Sequence, residues 1–109
     1  MATEAFMTID QGSRKQFVVD VSGMDLTGYS ARGMVRADRI NDSVLADWAA
    51  YLTVNSVDHQ VALVIPADVT STYAWDNGRY DIEVYISGNE ASAVRIVQGD
   101  VHVDKGVTR

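Results

Sequence analysis

Hydrophobic and polar residues alternate with a period of two along most of this chain. The clearest stretch is Arg79–Ile86, in which Tyr80, Ile82, Val84 and Ile86 are separated by polar or charged residues and one tyrosine. Successive side chains of a β-strand point to opposite faces of the sheet. The pattern therefore predicts a strand here, with these four side chains facing inward.

Similar alternation predicts further strands between Gly-, Asn- and Asp-containing turns. They cover Ala5–Ile9, Lys15–Val21, Tyr29–Ala37, His59–Ile65 and a last strand ending near Asp104. Short strands separated by regularly spaced turn residues are typical of sandwiches and barrels. In the last strand, Val94 and Ile96 lie in the opposite phase to Val97 and Gly99. This change of phase predicts either a β-bulge near Ile96–Gly99 or a strand that is buried on both faces.

Two segments do not alternate clearly. Asp38–Leu52 fits either strands or an amphipathic helix, and we expect strands, with the helix as the alternative. In 67–74 we expect one short helical turn, which Asp68 could cap. The fold class predicted is all-β, an antiparallel immunoglobulin-like β-sandwich of seven to eight strands.

Composition favours one β-rich domain and excludes several classes of protein. The 109 residues include 16 Val and 6 Ile against 4 Leu, an excess of β-branched side chains that favours strands. The length fits a single domain over 1–109, with short flexible or partner-bound arms at 1–4 and 105–109. Without Cys there is no disulfide and no thiolate metal site.

Charge and hydropathy also restrict the partners and the location. A formal net charge of -6 argues against nucleic acid, because phosphate contacts require a basic surface. No run approaches the ~20 apolar residues of a membrane-spanning helix, and residues 1–20 lack the apolar segment of a signal peptide. We therefore expect neither nucleic acid nor membrane as a partner, and synthesis in the cytoplasm.

Candidate catalytic and metal-binding groups are weak in this sequence. His59 and His102 lie far apart, and the pair Asp81 and Glu83 falls on the predicted outer side of a strand, where charges are solvated. We therefore expect no catalytic residues, no metal and no cofactor.

Candidate partner contacts come from exposed aromatic and basic positions. Arg32 and Arg36, with Met34 between them and Arg39 nearby, form a stripe suited to an acidic partner, although a solvated strand face is the simpler interpretation. Tyr85 faces outward, whereas Tyr73 and Trp75 are large aromatics typical of a core or a rim. The candidate contacts are Phe6, Arg32, Met34, Arg36, Tyr73, Trp75 and Tyr85.

Three segments resemble small virion proteins of tailed bacteriophages. LTGYSARGMVR (26–36) resembles their DLTGYTARMQVR segment, and GRYDIEV (78–84) and RIVQGDVHVD (95–104) are similar to two of their later strands. In that group an immunoglobulin-like module stands alone or opens a longer protein, as in the baseplate upper protein family. The middle, 38–55, is longer and more aromatic than in the family, and Lys105-Gly106 stands where Pro or Glu is common.

The resemblance implies a non-enzymatic structural protein in the virion, assembled in the host cytoplasm. Its partners would be other virion proteins of the tail, baseplate, fibre or head surface, and it would be a homo-oligomer or a symmetric multi-copy component. Two alternatives remain open at this point. One is a receptor- or glycan-binding module using Tyr73, Trp75 and Tyr85, and the other is a hydrolase using carboxylates.

Overall fold

Among the residues that the structure describes there are nine strands, against the seven to eight predicted, with one helical turn and one 3-10 turn. The computed structural model describes residues 3–37 and 43–106. The strands are β1 (Thr3–Glu4), β2 (Met7–Asp10), β3 (Lys15–Asp20), β4 (Tyr29–Arg36), β5 (Val44–Asp47), β6 (Leu52–Asn55), β7 (Gln60–Ile65), β8 (Asn77–Ile86) and β9 (Asn89–Asp104). A 3-10 turn, Ala49–Tyr51, precedes β6, and α1 (Ala67–Thr70) follows β7.

The strands form a six-stranded sheet and a three-stranded sheet. The first has the order β1-β9-β8-β4-β5, with β2 also on β9, and the second has the order β3-β7-β6. When the strands from β3 to β9 are lettered B, C, C′, D, E, F and G in chain order, the first sheet has the order G-F-C-C′ and the second has the order B-E-D. This is the immunoglobulin arrangement. The predicted all-β sandwich is confirmed.

The core lies between the two sheets. Val61, Leu63 and Ile65 of β7 face Ile82 and Val84 of β8 across it, and all five are 0% exposed. These residues occupy alternate positions of their strands, as the sequence pattern predicts. Ile86 is an exception: it was predicted to point inward but is 44% exposed, because it lies at the end of β8 beside the hairpin and pairs with Asn89.

The β-bulge predicted in the last strand is present. Ile82 pairs with Val97 and the next residue, Glu83, pairs with Arg95, so Ile96 has no partner of its own in β8. An extra residue in one strand turns two consecutive side chains toward the same side. Ile96 and Val97 are accordingly both buried, at 8% and 2% exposure.

The N-terminal strands run parallel to β9, unlike the antiparallel pairing predicted throughout. β1 pairs with Val97 and Gln98, and β2 pairs with the four residues from Val101 to Asp104. The alternation of a strand does not specify which neighbour it joins or in which direction. In the predicted N-terminal arm, 1–4, Thr3 and Glu4 form a strand, and 1–2 lie outside the described residues. In the predicted C-terminal arm, 105–109, Lys105 donates hydrogen bonds to the Ala74 and Trp75 carbonyls, and 107–109 lie outside the described residues.

The segment 38–52 contains strand, within the part that the structure describes. Val44–Asp47 form β5, and the 3-10 turn then carries the chain to β6 in the other sheet. Residues 38–42 lie outside the described residues. The helical turn expected in 67–74 is present as α1, but Pro66 is its N-cap residue and no side chain caps it, so the role suggested for Asp68 is wrong.

Candidate functional site

The outer surface of the six-stranded sheet carries rows of charged side chains. The β4–β8 register sets Arg32 opposite Glu83, and Met34 opposite Asp81. Directly opposed residues of antiparallel strands have Cβ atoms about 5 Å apart, so their side chains interact. We call this surface the charged face.

A broad depression of about 470 Å³ lies in the middle of the charged face. It is lined by Arg32, Gly33, Met34, Arg36, Asp47, Ala49, Asp81, Glu83, Tyr85 and Glu90. Four of the seven candidate contacts from the sequence, Arg32, Met34, Arg36 and Tyr85, are among them. The fold thus brings together residues that are separated by up to 58 positions in the chain.

Arg32 organises one side of the depression. Its Nε donates to Glu83 Oε1 at 2.8 Å, and its Nη1 donates to Glu90. Its guanidinium carbon also lies 5.1 Å from the centre of the Tyr85 ring, a cation–π geometry. Donation of this hydrogen bond to Glu83 raises the pKa of Arg32, so this cation is held in place by two carboxylates and an aromatic ring.

Asp81 lies at the centre of the charged face and is only partly solvated. Its side chain is 37% exposed, and its Oδ2 atom is 3.4 Å from Arg95 Nε. Loss of solvent raises the pKa of Asp81, although Arg95 opposes the shift. The sequence predicted a solvated carboxylate on the outer face of a strand. Asp81 does lie on that face, but its carboxylate is only partly solvated.

The lining of the depression has an excess of negative charge. Asp47, Asp81, Glu83 and Glu90 contribute four carboxylates against the guanidinium groups of Arg32 and Arg36, which leaves two net negative charges. Met34 and Tyr85 supply apolar surface between these groups. Such a lining can accept a basic side chain whose aliphatic part packs on Met34.

Sequence reasoning did not identify the acidic half of this site as contacts. Glu83 and Asp81 were noted only as solvated charges, and Asp47 and Glu90 come from β5 and β9. The period of two on β8 was enough to put Asp81, Glu83 and Tyr85 on one face. To predict that Asp47 lines the depression, the β4–β5 register would have to be known, because only that pairing sets Asp47 opposite Met34.

The structure places Phe6 elsewhere, between β1 and β2. Its side chain is 67% exposed, and Phe6 is not part of the depression. Arg39, which the sequence associated with the arginine stripe, lies outside the described residues.

Tyr73 and Trp75 do not form an exposed aromatic surface. Tyr73 is 7% exposed, and its hydroxyl accepts a hydrogen bond of 3.1 Å from Trp48 Nε1. The rings of Tyr73 and Trp75 lie 5.3 Å apart, and the Trp75 indole N–H is itself buried, without a partner in the described residues. The prediction of Tyr73 as a surface contact is wrong, because Trp48 from the segment after β5 draws its ring into the core.

The two histidines have separate structural contacts. His59 Nδ1 lies 2.8 Å from the Met24 carbonyl oxygen, and His102 Nδ1 lies 3.0 Å from Asn77 Oδ1. Within 3–37 and 43–106, no group of three or more His, Asp or Glu side chains is arranged to hold a metal ion. None of the helices described in this structure has the length and apolar character required to cross a bilayer.

Comparison with known proteins gives no family assignment. No protein-family model matches the chain, and no curated protein matches it. The geometry of the charged face is therefore the structural basis for a functional proposal, alongside the resemblance of the three sequence segments.

Proposed function

We propose that this protein is a non-enzymatic structural component of a tailed-phage particle that binds other virion proteins through the charged face. The observation that carries the proposal is the convergence of Arg32, Met34, Arg36 and Tyr85 on one depression of about 470 Å³. A broad, shallow surface that combines paired charges with exposed apolar groups suits a protein partner.

The segments that resemble phage virion proteins support this location. Residues 26–36 include β4, residues 78–84 lie in β8, and residues 95–104 lie in β9. These three strands are adjacent in the six-stranded sheet and build most of the charged face. The resemblance and the candidate site therefore coincide in the same part of the molecule.

The binding mechanism is burial of complementary surface. The two net negative charges of the lining favour a partner that presents Lys or Arg, with Met34 and Tyr85 as apolar contacts. In a symmetric particle each contact is repeated, so that individually weak contacts sum to stable attachment. We also propose that the chain is present as a symmetric multi-copy component of the virion.

Mass spectrometry of purified particles tests the role in the virion. Particles of the phage that encodes this chain should contain it in a fixed ratio to the known tail or head proteins. If the chain is abundant in infected cells but absent from particles, the proposal is wrong.

Binding assays with purified virion proteins test the surface. Glu83→Gln and Asp81→Asn should each lower the affinity for the partner about tenfold or more, because each removes a partly desolvated negative charge from the depression. Thr53→Ala, on the outer face of the three-stranded sheet, is the control and should bind like the wild type. Unchanged binding by both depression variants would exclude the charged face as the contact.

A further inference from the structure

Within residues 3–37 and 43–106, strand β3 is an open edge of the three-stranded sheet. It pairs with β7 on one side only, from Lys15 opposite Ile65 to Asp20 opposite Gln60. The Val21 amide donates to the His59 carbonyl oxygen at 2.8 Å, which identifies the odd-numbered residues as the hydrogen-bonded pairs of this ladder. The amide and carbonyl groups of Gln16, Val18 and Asp20 therefore point away from β7, toward the open edge.

β3 lacks the features that protect the other sheet edges of the described structure. β2, β5 and β6 each have only four residues, and the pairing of β5 is interrupted by a shift in register. β3 has six residues in continuous register, with its charges confined to Lys15 and Asp20 at the two ends. Short length, irregularity and charge are the usual means of preventing edge-to-edge pairing.

The inward-facing side chains of β3 are incompletely covered. Phe17 and Val19 pack against the core but remain partly exposed, whereas Val61 and Leu63, opposite them on β7, are 0% exposed. Another strand along this edge would cover Phe17 and Val19 and extend the core. On the outer face, Val18 is 45% exposed beside Ala62, which also lacks charge.

We propose that two copies of this chain associate through antiparallel pairing of their β3 strands, about a two-fold axis at Val18. In this register Gln16 of each copy lies opposite Asp20 of the other, and the two Val18 residues lie opposite each other. The backbone amide and carbonyl groups of these three pairs form about six hydrogen bonds between the two copies. Phe17 of each copy then lies beside Val19 of the other, a favourable aromatic–β-branched pair. The two sheets of three strands become one continuous sheet of six.

Charged side chains on the outer face, Arg14 just before β3 and Asp20 at its end, are complementary in this arrangement. Arg14 Nη1 donates to Gln16 Oε1 at 3.3 Å, so Arg14 lies along the same outer face as Gln16. Asp20 of the other copy is diagonal to Arg14, within reach of a long side chain. The two-fold axis provides this ion pair twice. This inference does not depend on the proposed role in the virion.

Sedimentation velocity of the full chain tests the pairing. The wild type should dimerise as its concentration rises to the millimolar range. Val18→Lys should remain monomeric, since it sets two like charges directly opposite each other at the axis. Thr53→Lys is the matched control, because it adds the same charge on the same outer face at the opposite edge, β6, and it should dimerise like the wild type.

A cysteine variant tests the register. The chain contains no Cys, and the pairing sets the two residue-18 Cα atoms about 5.5 Å apart, a distance that a disulfide can span. Val18→Cys should form a covalent dimer on mild oxidation, and Thr53→Cys should not. A wild type that stays monomeric at millimolar concentration, or a folded Val18→Lys variant that still dimerises, would overturn the proposal.

Discussion

Gly99 allows the N-terminal segment to pass across β9 at contact distance. A Cβ atom at this position would lie 2.1 Å from the Ala5 carbonyl oxygen, which belongs to the backbone and cannot turn aside. Ala5 is fixed by its own amide, which donates to Gln98, and by the Tyr80 hydroxyl, which donates to the Ala5 carbonyl at 2.7 Å. Gly99 is thus required for β1 and β2 to pair side by side with β9.

We predict that Gly99→Ala lowers the free energy of unfolding by about 2 kcal/mol, because the Ala5 segment must move away. Tyr80→Phe should lower it by about 1 kcal/mol through loss of the hydroxyl contact. Because the displaced Ala5 carbonyl no longer meets Tyr80, the double variant should lose clearly less than the sum. Urea unfolding of the four proteins measures this, and strictly additive losses would contradict the proposed contact.

Tyr80 also makes the stability of the fold sensitive to alkaline pH. Burial raises the pKa of Tyr80 to about 12, with a further contribution from the charge of Glu4. An unfolded tyrosine loses its proton near pH ~10. Between these values the unfolded chain has released the proton while the folded chain retains it, so stability falls as pH rises.

We expect the unfolding free energy of the wild type to decrease with rising pH above about pH 10, and that of Tyr80→Phe to decrease less steeply. Tyr85→Phe, which removes a partly exposed hydroxyl from the other face of the same strand, is the matched control for loss of a phenol. Urea unfolding at several pH values measures the unfolding free energy, and the absorbance of ionised tyrosine measures the loss of the phenol proton. Equal slopes in the wild type and Tyr80→Phe would show that Tyr80 does not carry the effect.

At the scale of the element, β8 carries a carboxylate, Asp81, that the fold partly removes from solvent. Burial raises the pKa of Asp81, which means that the folded state disfavours the charged form. This destabilisation is absent at low pH, grows as pH rises through the unfolded pKa near ~4, and is complete above the folded pKa. We therefore predict that Asp81→Asn unfolds at a higher temperature than the wild type at pH ~7, but not at pH ~3.

A control for Asp81→Asn must remove a carboxylate from the same face of β8 that is in a different environment. Glu83→Gln is suitable, because Glu83 accepts the hydrogen bond from Arg32 and its loss should not stabilise the fold. Thermal unfolding followed by circular dichroism at the two pH values measures the difference. If Asp81→Asn is less stable than the wild type at neutral pH, the ion pair with Arg95 outweighs the loss of solvent, and the charge is retained for stability.

The alternation of residues predicts individual strands well, because one face of each strand is buried. It correctly gives the inward positions of β4 and of most of β8, and the change of phase near Ile96 correctly gives the bulge in β9. It also groups Arg32, Met34 and Arg36 on one outer face. These properties depend only on neighbours within two or three residues.

Properties that depend on distant partners could not be predicted in this way. The parallel pairing of β2 with β9 joins residues more than ninety positions apart, and nothing in either strand specifies its direction. Tyr73 is buried because Trp48 comes from the segment that crosses between the sheets. The acidic half of the depression likewise depends on strand order, since Asp47 reaches it only through the pairing of β5 with β4.

At the scale of the whole molecule, the two outer faces of the sandwich differ in charge. The charged face holds most of the ion pairs of the described residues, including Arg32–Glu83, Arg79–Asp100 and Arg95–Asp81. The outer face of the three-stranded sheet carries Val18, Ala62 and Thr53 in one uncharged row. Such a molecule can use one face for a charged partner while its β3 edge pairs with a second copy.

We predict that these two contacts are separable by mutation and by salt. Asp81→Asn and Glu83→Gln should weaken binding of the proposed partner and leave self-association unchanged. Val18→Lys should abolish self-association and leave the affinity of the charged face for that partner unchanged. Raising the salt concentration should weaken the partner contact more than the β3 pairing, because backbone hydrogen bonds and apolar contacts are screened little.

Sedimentation velocity and partner binding, measured on the same preparations at low and high salt, distinguish the partner contact from the β3 pairing. A folded single variant that loses both contacts would show that the two faces form one interface, and would refute the assignment of separate roles.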